Sequence, residues 1–155
     1  MTCITWDGKV LAGDRYSTFG ETKGYARKVH RIRCARTKEL FLVGTSGQAQ
    51  DSEAFIEWLR DGNEKPKLTD FGALVIDQRL HVWSIEEKLI WMDITMPHFA
   101  IGNGRQYAIG AMAMGARAAR AVRVAADHCV NIGGGVDTVR FLRHELIRGP
   151  KKRPA

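Results

Sequence analysis

The tightest constraint on this chain is Asp7-Gly8, set between two short β-prone runs, Cys3–Trp6 and Lys9–Gly13. Such a pair is a strong hairpin signal, because Asp and Gly tolerate the positive φ that a tight turn needs. The second strand therefore returns to the start of the chain. In a strict two-residue register Thr2 pairs with Gly13, and Asp14 lies one residue beyond. Period-two alternation then points Asp14 and Thr2 to opposite faces, so a bulge or strand end at Gly13 is needed to bring them together.

Thr2 gives that meeting its interest. Initiator methionine is normally trimmed before a small residue, which would leave Thr2 with its own α-amine beside its own hydroxyl. A threonine hydroxyl is too weakly acidic to attack an amide at neutral pH. A free α-amine with a pKa near ~8 can take its proton, directly or through one water.

At 155 residues the chain fits one domain with a real core, read as residues 1–147 followed by a basic, disordered tail at 148–155. Three cysteines, Cys3, Cys34 and Cys129, show no CxxC spacing, so neither a disulfide framework nor a metal site is suggested, and no cofactor is called for. No signal-peptide pattern and no ~18-residue apolar run is present, which points to a cytoplasmic protein without membrane contact. Of the net charge of +7, four charges belong to Arg148, Lys151, Lys152 and Arg153, leaving the body near +3. A second basic run, from Lys23 to Lys38, lacks the interleaved aromatics of a base-stacking surface, which argues against nucleic acid as a partner.

After Asp14 a polar stretch, a loop or short strand, leads to a strand near Arg27–Cys34. Alternation places Arg27, Arg31 and Arg33 on one face and Lys28 with Ile32 and Cys34 on the other. An inward lysine suggests a neighbouring carboxylate or a functional task, the plain alternative being a side chain that snorkels past Ile32. Leu40–Val43 is an apolar strand running into Gly44-Thr45-Ser46-Gly47, and a helix follows over Gln48–Asp61. A glycine-bearing turn before a helix leaves N–H groups free for an anion or oxyanion. Phe71–Ile76, Leu80–Ile85 and Lys88–Ile94 form a meander. Two helices, about Arg105–Met114 and Ala116–Val130, are divided at Gly115, Gly133-Gly134-Gly135 stops the second, and Val136–Leu142 is a last strand. The pattern is α+β.

The residues resemble the proteasome β-subunit and HslV peptidase family of N-terminal nucleophile hydrolases over Thr2 to about Leu142. Thr2-Cys3-Ile4 stands where the family begins Thr-Thr-Ile. Gly13-Asp14, Ser17-Thr18-Phe19-Gly20, Lys28-Val29-His30-Arg31-Ile32, Leu42-Val43-Gly44-Thr45-Ser46-Gly47 and Gly102-Asn103-Gly104-Arg105-Gln106-Tyr107-Ala108 follow in the family's order. The resemblance implies a four-layer αββα sandwich, Thr2 as nucleophile, Asp14 and Lys28 as its supporting charges, and the Gly47 N–H as oxyanion donor. It also implies Ser17, Thr18 and Thr45 at the substrate, with Thr45 in the pocket for the side chain before the cut. Asn103 replaces the serine of Gly-Ser-Gly, where an amide can still hydrogen-bond near the amine. Cys129 and Ile132 replace the helix-end Asp and Ser of proteasome subunits, and a cysteine at the first position is HslV-like. Only about ten residues separate the first helix from Phe71, so the family's second helix is missing.

The expected function is a threonine endopeptidase acting on unfolded polypeptide or peptide inside a self-associated ring or other closed oligomer, with an ATPase unfoldase as a partner the resemblance allows. The alternative is an inactive, structural ring-forming homologue or a small-amide hydrolase. The Ala/Met-rich stretch from Ile109 to Gly115 is the expected contact surface, with Ala111 and Met112 as its test positions.

Overall fold

The computed structural model describes residues 1–149, so the tail from Pro150 onward lies outside the described residues. The strands are β1 (Cys3–Trp6), β2 (Val10–Asp14), β3 (Tyr16–Phe19), β4 (Thr22–Tyr25), β5 (Val29–Arg33), β6 (Leu40–Gly47), β7 (Phe71–Ile76), β8 (Val82–Glu86), β9 (Trp91–Ile94), β10 (Phe99–Gly102) and β11 (Val136–Arg140). The helices are α1 (Ala49–Asp61), α2 (Arg105–Ala113) and α3 (Ala118–His128), with a 3-10 turn at Arg143–Glu145. All pairing is antiparallel, in a four-stranded sheet β10-β1-β2-β11, a five-stranded sheet β5-β6-β7-β8-β9 and a separate β3-β4 hairpin. No helix among the described residues is long and apolar enough to cross a membrane.

The first hairpin forms as expected but in a different register. Trp6 pairs with Leu11 and Ile4 with Gly13, so the connection is longer than two residues. The Asp7 side chain causes this: Oδ1 accepts the Lys9 and Val10 amides at 3.0 and 2.8 Å, which opens the turn. Its Oδ2 accepts the Ala118 amide at 2.9 Å, and the Thr5 hydroxyl donates to the Ala118 carbonyl at 2.9 Å, so these two polar residues fix the start of α3. Of the bulge or strand end expected at Gly13, neither is found: Gly13 pairs regularly on both sides, with Ile4 and Asp137, and β2 ends one residue later, at Asp14.

Alternation along β1 buries both of its faces. Ile4, Trp6 and Leu11 meet Leu42, Leu74, Ile76 and Val82 of the five-stranded sheet. Cys3, Ala12 and Ala100 meet Ala108, Met112, Ala121, Val122 and Ala125 of α2 and α3. Close approach of the sheets needs glycine: a Cβ on Gly44 would lie 2.5 Å from Ile4 Cγ2. The outer face of the five-stranded sheet buries Phe55, Ile56, Trp58 and Leu59 of α1 against Phe41, Val43, Val75 and Ile85.

No helix lies between Gly62 and Phe71, as the chain length requires. Bulky side chains of the sheet take over. Trp83 is fully buried and Trp91 nearly so, their rings edge-on at 5.8 Å, with Leu89 and Leu68 packed beside them.

Of the two forms expected for the stretch after Asp14, the short strand is the one found, as β3. Two elements escaped the sequence pattern: Thr22–Tyr25, which pairs with β3, and Phe99–Gly102, which pairs along the whole of β1. The expected face for Lys28 is also corrected. Ile32 and Cys34 pack in the α1 cluster, whereas Lys28 precedes β5 and turns to Asp14 and Thr2.

Candidate active site

Three elements deliver the buried charges. Thr2 lies ahead of β1, Asp14 ends β2, and Lys28 lies ahead of β5, held there by the Thr45 amide donating to its carbonyl at 2.9 Å. Lys28 Nζ donates to Asp14 Oδ1 at 3.0 Å, Thr2 Oγ1 at 3.3 Å and the Met1 carbonyl at 3.1 Å. Three acceptors match the three donors of an ammonium. Asp14 is fully buried, and it also accepts the Cys3 amide at 3.0 Å on Oδ1 and the Gly133 amide at 3.2 Å on Oδ2. Lys28 thus links Thr2 and Asp14 without the backbone distortion that alternation seemed to demand.

Burial pushes the Lys28 pKa below the ordinary lysine value of 10.5, with the Asp14 charge and hydrogen bond opposing that shift. Burial pushes the Cys3 thiol up to about 12, helped by the negative charge of Asp14. Cys3 is fully buried against α2 and α3, so it offers no thiolate to compete with the neighbouring Thr2 hydroxyl. With Met1 attached, the nitrogen of Thr2 is an amide without basicity, and Thr2 is 6% exposed.

Gly102-Asn103-Gly104 wraps the Thr2 carbonyl. The Gly104 amide donates to it at 3.3 Å, and Gly102, at φ 89°, has no room for a Cβ against the same oxygen. Asn103 is exposed, and no hydrogen bond to its side chain is found among the described residues. Thr45 is buried and joined to the cluster through the Lys28 backbone. Gly47 ends β6 at φ 98°, opposite Phe71, where a side chain would strike the Asp70 carbonyl. Ser17 is half-buried and Thr18 exposed on β3. Among the described residues no hydrogen bond links Gly47, Asn103, Ser17 or Thr18 to the Thr2 side chain. Cys129 is half-buried at the end of α3, and Ile132 is buried against Gly104 and the helices.

Gly133 was legible only as a helix stop. Its amide holds Asp14 Oδ2, while its carbonyl accepts the amides of Arg15 at 2.9 Å and Tyr16 at 2.8 Å. Three consecutive glycines with positive φ, at 147°, 73° and 99°, were the available signal for such a loop.

No family model and no curated relative matches the sequence. Solved structures do match in shape. HslV from Trypanosoma brucei is 18% identical, with a TM-score of 0.61 over 89% of this chain and 97% of that one. The Gly-1 mutant of Anbu from Hyphomicrobium sp. strain MC1 is 14% identical, with a TM-score of 0.74 over 100% and 88%. The chain has the fold of HslV and Anbu. BPH from Thiobacillus denitrificans is also similar, at 18% identity and a TM-score of 0.67 over 89% and 95%, and a further structure of BPH holds epoxomicin. In this HslV-like fold the Thr2–Lys28–Asp14 cluster lies where the starts of β1 and β5 and the end of β2 converge.

Proposed function

We propose that the chain is a threonine endopeptidase of the N-terminal nucleophile class, with Thr2 as nucleophile once Met1 is removed. The observation that carries this reading is the Lys28 ammonium, bonded at once to Thr2 Oγ1 and to buried Asp14. The likeness to HslV in shape agrees with it.

The freed α-amine takes the proton of Thr2 Oγ1 as that oxygen attacks the substrate carbonyl carbon. The positive charge of Lys28 lowers the hydroxyl pKa, and Asp14 holds Lys28 in place and favours its charged form. The Gly47 N–H receives the oxyanion. Collapse expels the amine product, which takes the proton, and leaves an ester on Thr2. Water, deprotonated by the same α-amine, then cleaves that ester and regenerates the hydroxyl. Thr45 lines the pocket for the side chain before the cut, and Ser17 and Thr18 hold the substrate backbone.

The architecture in this reading is a four-layer αββα sandwich shortened by one helix. Separate core clusters between the sheets and under each helical group support it. Residues 1–147 form its one domain. The exposed face of α2 and the turn that follows it, with Tyr107, Gly110 and Met114, is the surface for self-association into a closed cytoplasmic oligomer that admits unfolded chains, with an ATPase unfoldase as partner.

A non-enzymatic ring component is the second reading. It draws on exposed Asn103, which has no side-chain hydrogen bond among the described residues, and on buried, apolar Ile132, which stands where the resemblance expects a serine. One assay separates the two: protein beginning at Thr2 either hydrolyses fluorogenic peptides and is labelled at Thr2 by epoxomicin, or does neither.

A further inference from the structure

The β3–β4 hairpin begins one residue after Arg15, next to Asp14, and its exit strand leads within three residues to Lys28, so both ends run into the buried charge pair. Its root is fastened to the loop that orients Asp14: Gly133 bonds Arg15 and Tyr16 through its carbonyl, and the Tyr25 ring lies over the bare backbone of Gly134. The register Tyr16↔Tyr25 and Thr18↔Lys23 puts these four side chains on one face. Lys23 Nζ lies 5.2 Å from the Tyr16 ring centre and 6.0 Å from that of Tyr25. Tyr25 is 57% exposed and Phe19, on the opposite face, 56%. Register therefore gathers Tyr16, Lys23 and Tyr25 into one mixed aromatic and basic face.

Between Arg15 and Lys28 the sequence has one acid, Glu21, and neither Lys23 nor Arg27 has a carboxylate partner among the described residues. Arg15 is paired with Asp137 at 3.4 Å. We infer that this hairpin is the substrate-selecting wall of the site and favours polypeptide segments that carry acidic and aromatic side chains. The inference rests on the peptidase reading. An ammonium seated between two tyrosine rings keeps outward N–H donors for a carboxylate, and the exposed rings offer faces for aromatic side chains. The same chemistry could take nucleobases and phosphates. Attachment of both hairpin ends to the residues around Thr2 favours the polypeptide.

The test is binding, so that it stands apart from turnover. Full-length protein carrying Thr2→Ala is titrated into a fluorescein-labelled ten-residue peptide of alternating Asp and Tyr, its Lys-for-Asp analogue, and ten-nucleotide oligothymidine, with anisotropy as readout. The acidic peptide should bind about ten-fold more tightly than its lysine analogue. Lys23→Glu should erase that preference and Lys23→Arg should keep it. Equal affinities, no binding, or a preference that survives Lys23→Glu would overturn the inference. Oligothymidine binding as tightly as the acidic peptide, and lost with Lys23→Glu, would assign the hairpin to nucleic acid instead. If Thr2 proves not to be a nucleophile while the acidic preference stands, the catalytic reading fails and the recognition surface remains.

Discussion

Lys28 Nζ lies 3.0 Å from Asp14 Oδ1, the carboxylate fully buried and the lysine 8% exposed. A pair this dry gives up hydration that its mutual attraction only partly returns, so stability alone is a weak reason for it. Folding lowers the Lys28 pKa, which means that the folded state disfavours the ammonium and that this cost fades as pH rises from the folded value towards 10.5. If the ammonium is the working form, the alkaline limb of the kcat profile should fall below pH 10.5. Asp14→Asn removes the charge that holds this pKa up, so the limb should move further towards neutral pH. A kcat profile with an unmoved limb in Asp14→Asn would contradict the assignment.

Gly47 carries a backbone prediction. At φ 98° an added side chain is strained, and its Cβ would strike the Asp70 carbonyl. Gly20, at φ 63° with open space around it, isolates the strain alone. Gly47→Ala should therefore lower the melting temperature well beyond Gly20→Ala, by at least ~2 kcal/mol of stability against about 1. Thermal denaturation of the two variants checks this.

Asp51 fastens the segment before β7 to the first turn of α1, its Oδ2 accepting the amides of Thr69 at 2.7 Å and Asp70 at 2.9 Å. These backbone bonds hold its pKa below the ordinary 3.8. The stabilisation is present above the ordinary value and is lost as pH falls through it towards the lower folded value. Asp51→Asn should cost about 1 kcal/mol at pH 7 once solvent screening is allowed for, roughly 3 °C in melting temperature. The gap from wild type should close below pH ~4. A gap independent of pH would contradict the role of the charge.

Much of this was legible in the chain because local rules decided it. Asp7-Gly8 announced the first hairpin, the small residues around Gly115 announced two helices, and the short spacing to Phe71 announced the missing helix. Register was not legible, since the Asp7 side chain widens its own turn through bonds that depend on folded geometry. Phe99–Gly102 carried no assignment from the sequence because its strand character comes from pairing with β1. Alternation misplaced Lys28 because the residue lies outside the strand whose period was being read.

Met112 and Ala111 were the expected assembly contacts, and Met112 is instead 5% exposed in the protomer's own core, because α2 turns it towards α3 and the four-stranded sheet. Gly110 on α2 and Met114 just beyond its end are instead exposed, the latter 89%. Gly110→Glu and Met114→Glu should each shift the oligomer to smaller species with the fold retained, while Met112→Glu should unfold the protein. Light scattering that finds the wild type monodisperse and monomeric at micromolar concentration would remove the assembly proposal.

The central claim is that Thr2, freed of Met1, is the nucleophile. Protein whose intact mass shows Thr2 as its first residue should hydrolyse a fluorogenic peptide, and Thr2→Ala should abolish that turnover while leaving the circular dichroism spectrum unchanged. Lys28→Ala should cost at least ~100-fold in kcat. Turnover in Thr2→Ala equal to that of the wild type would contradict the account.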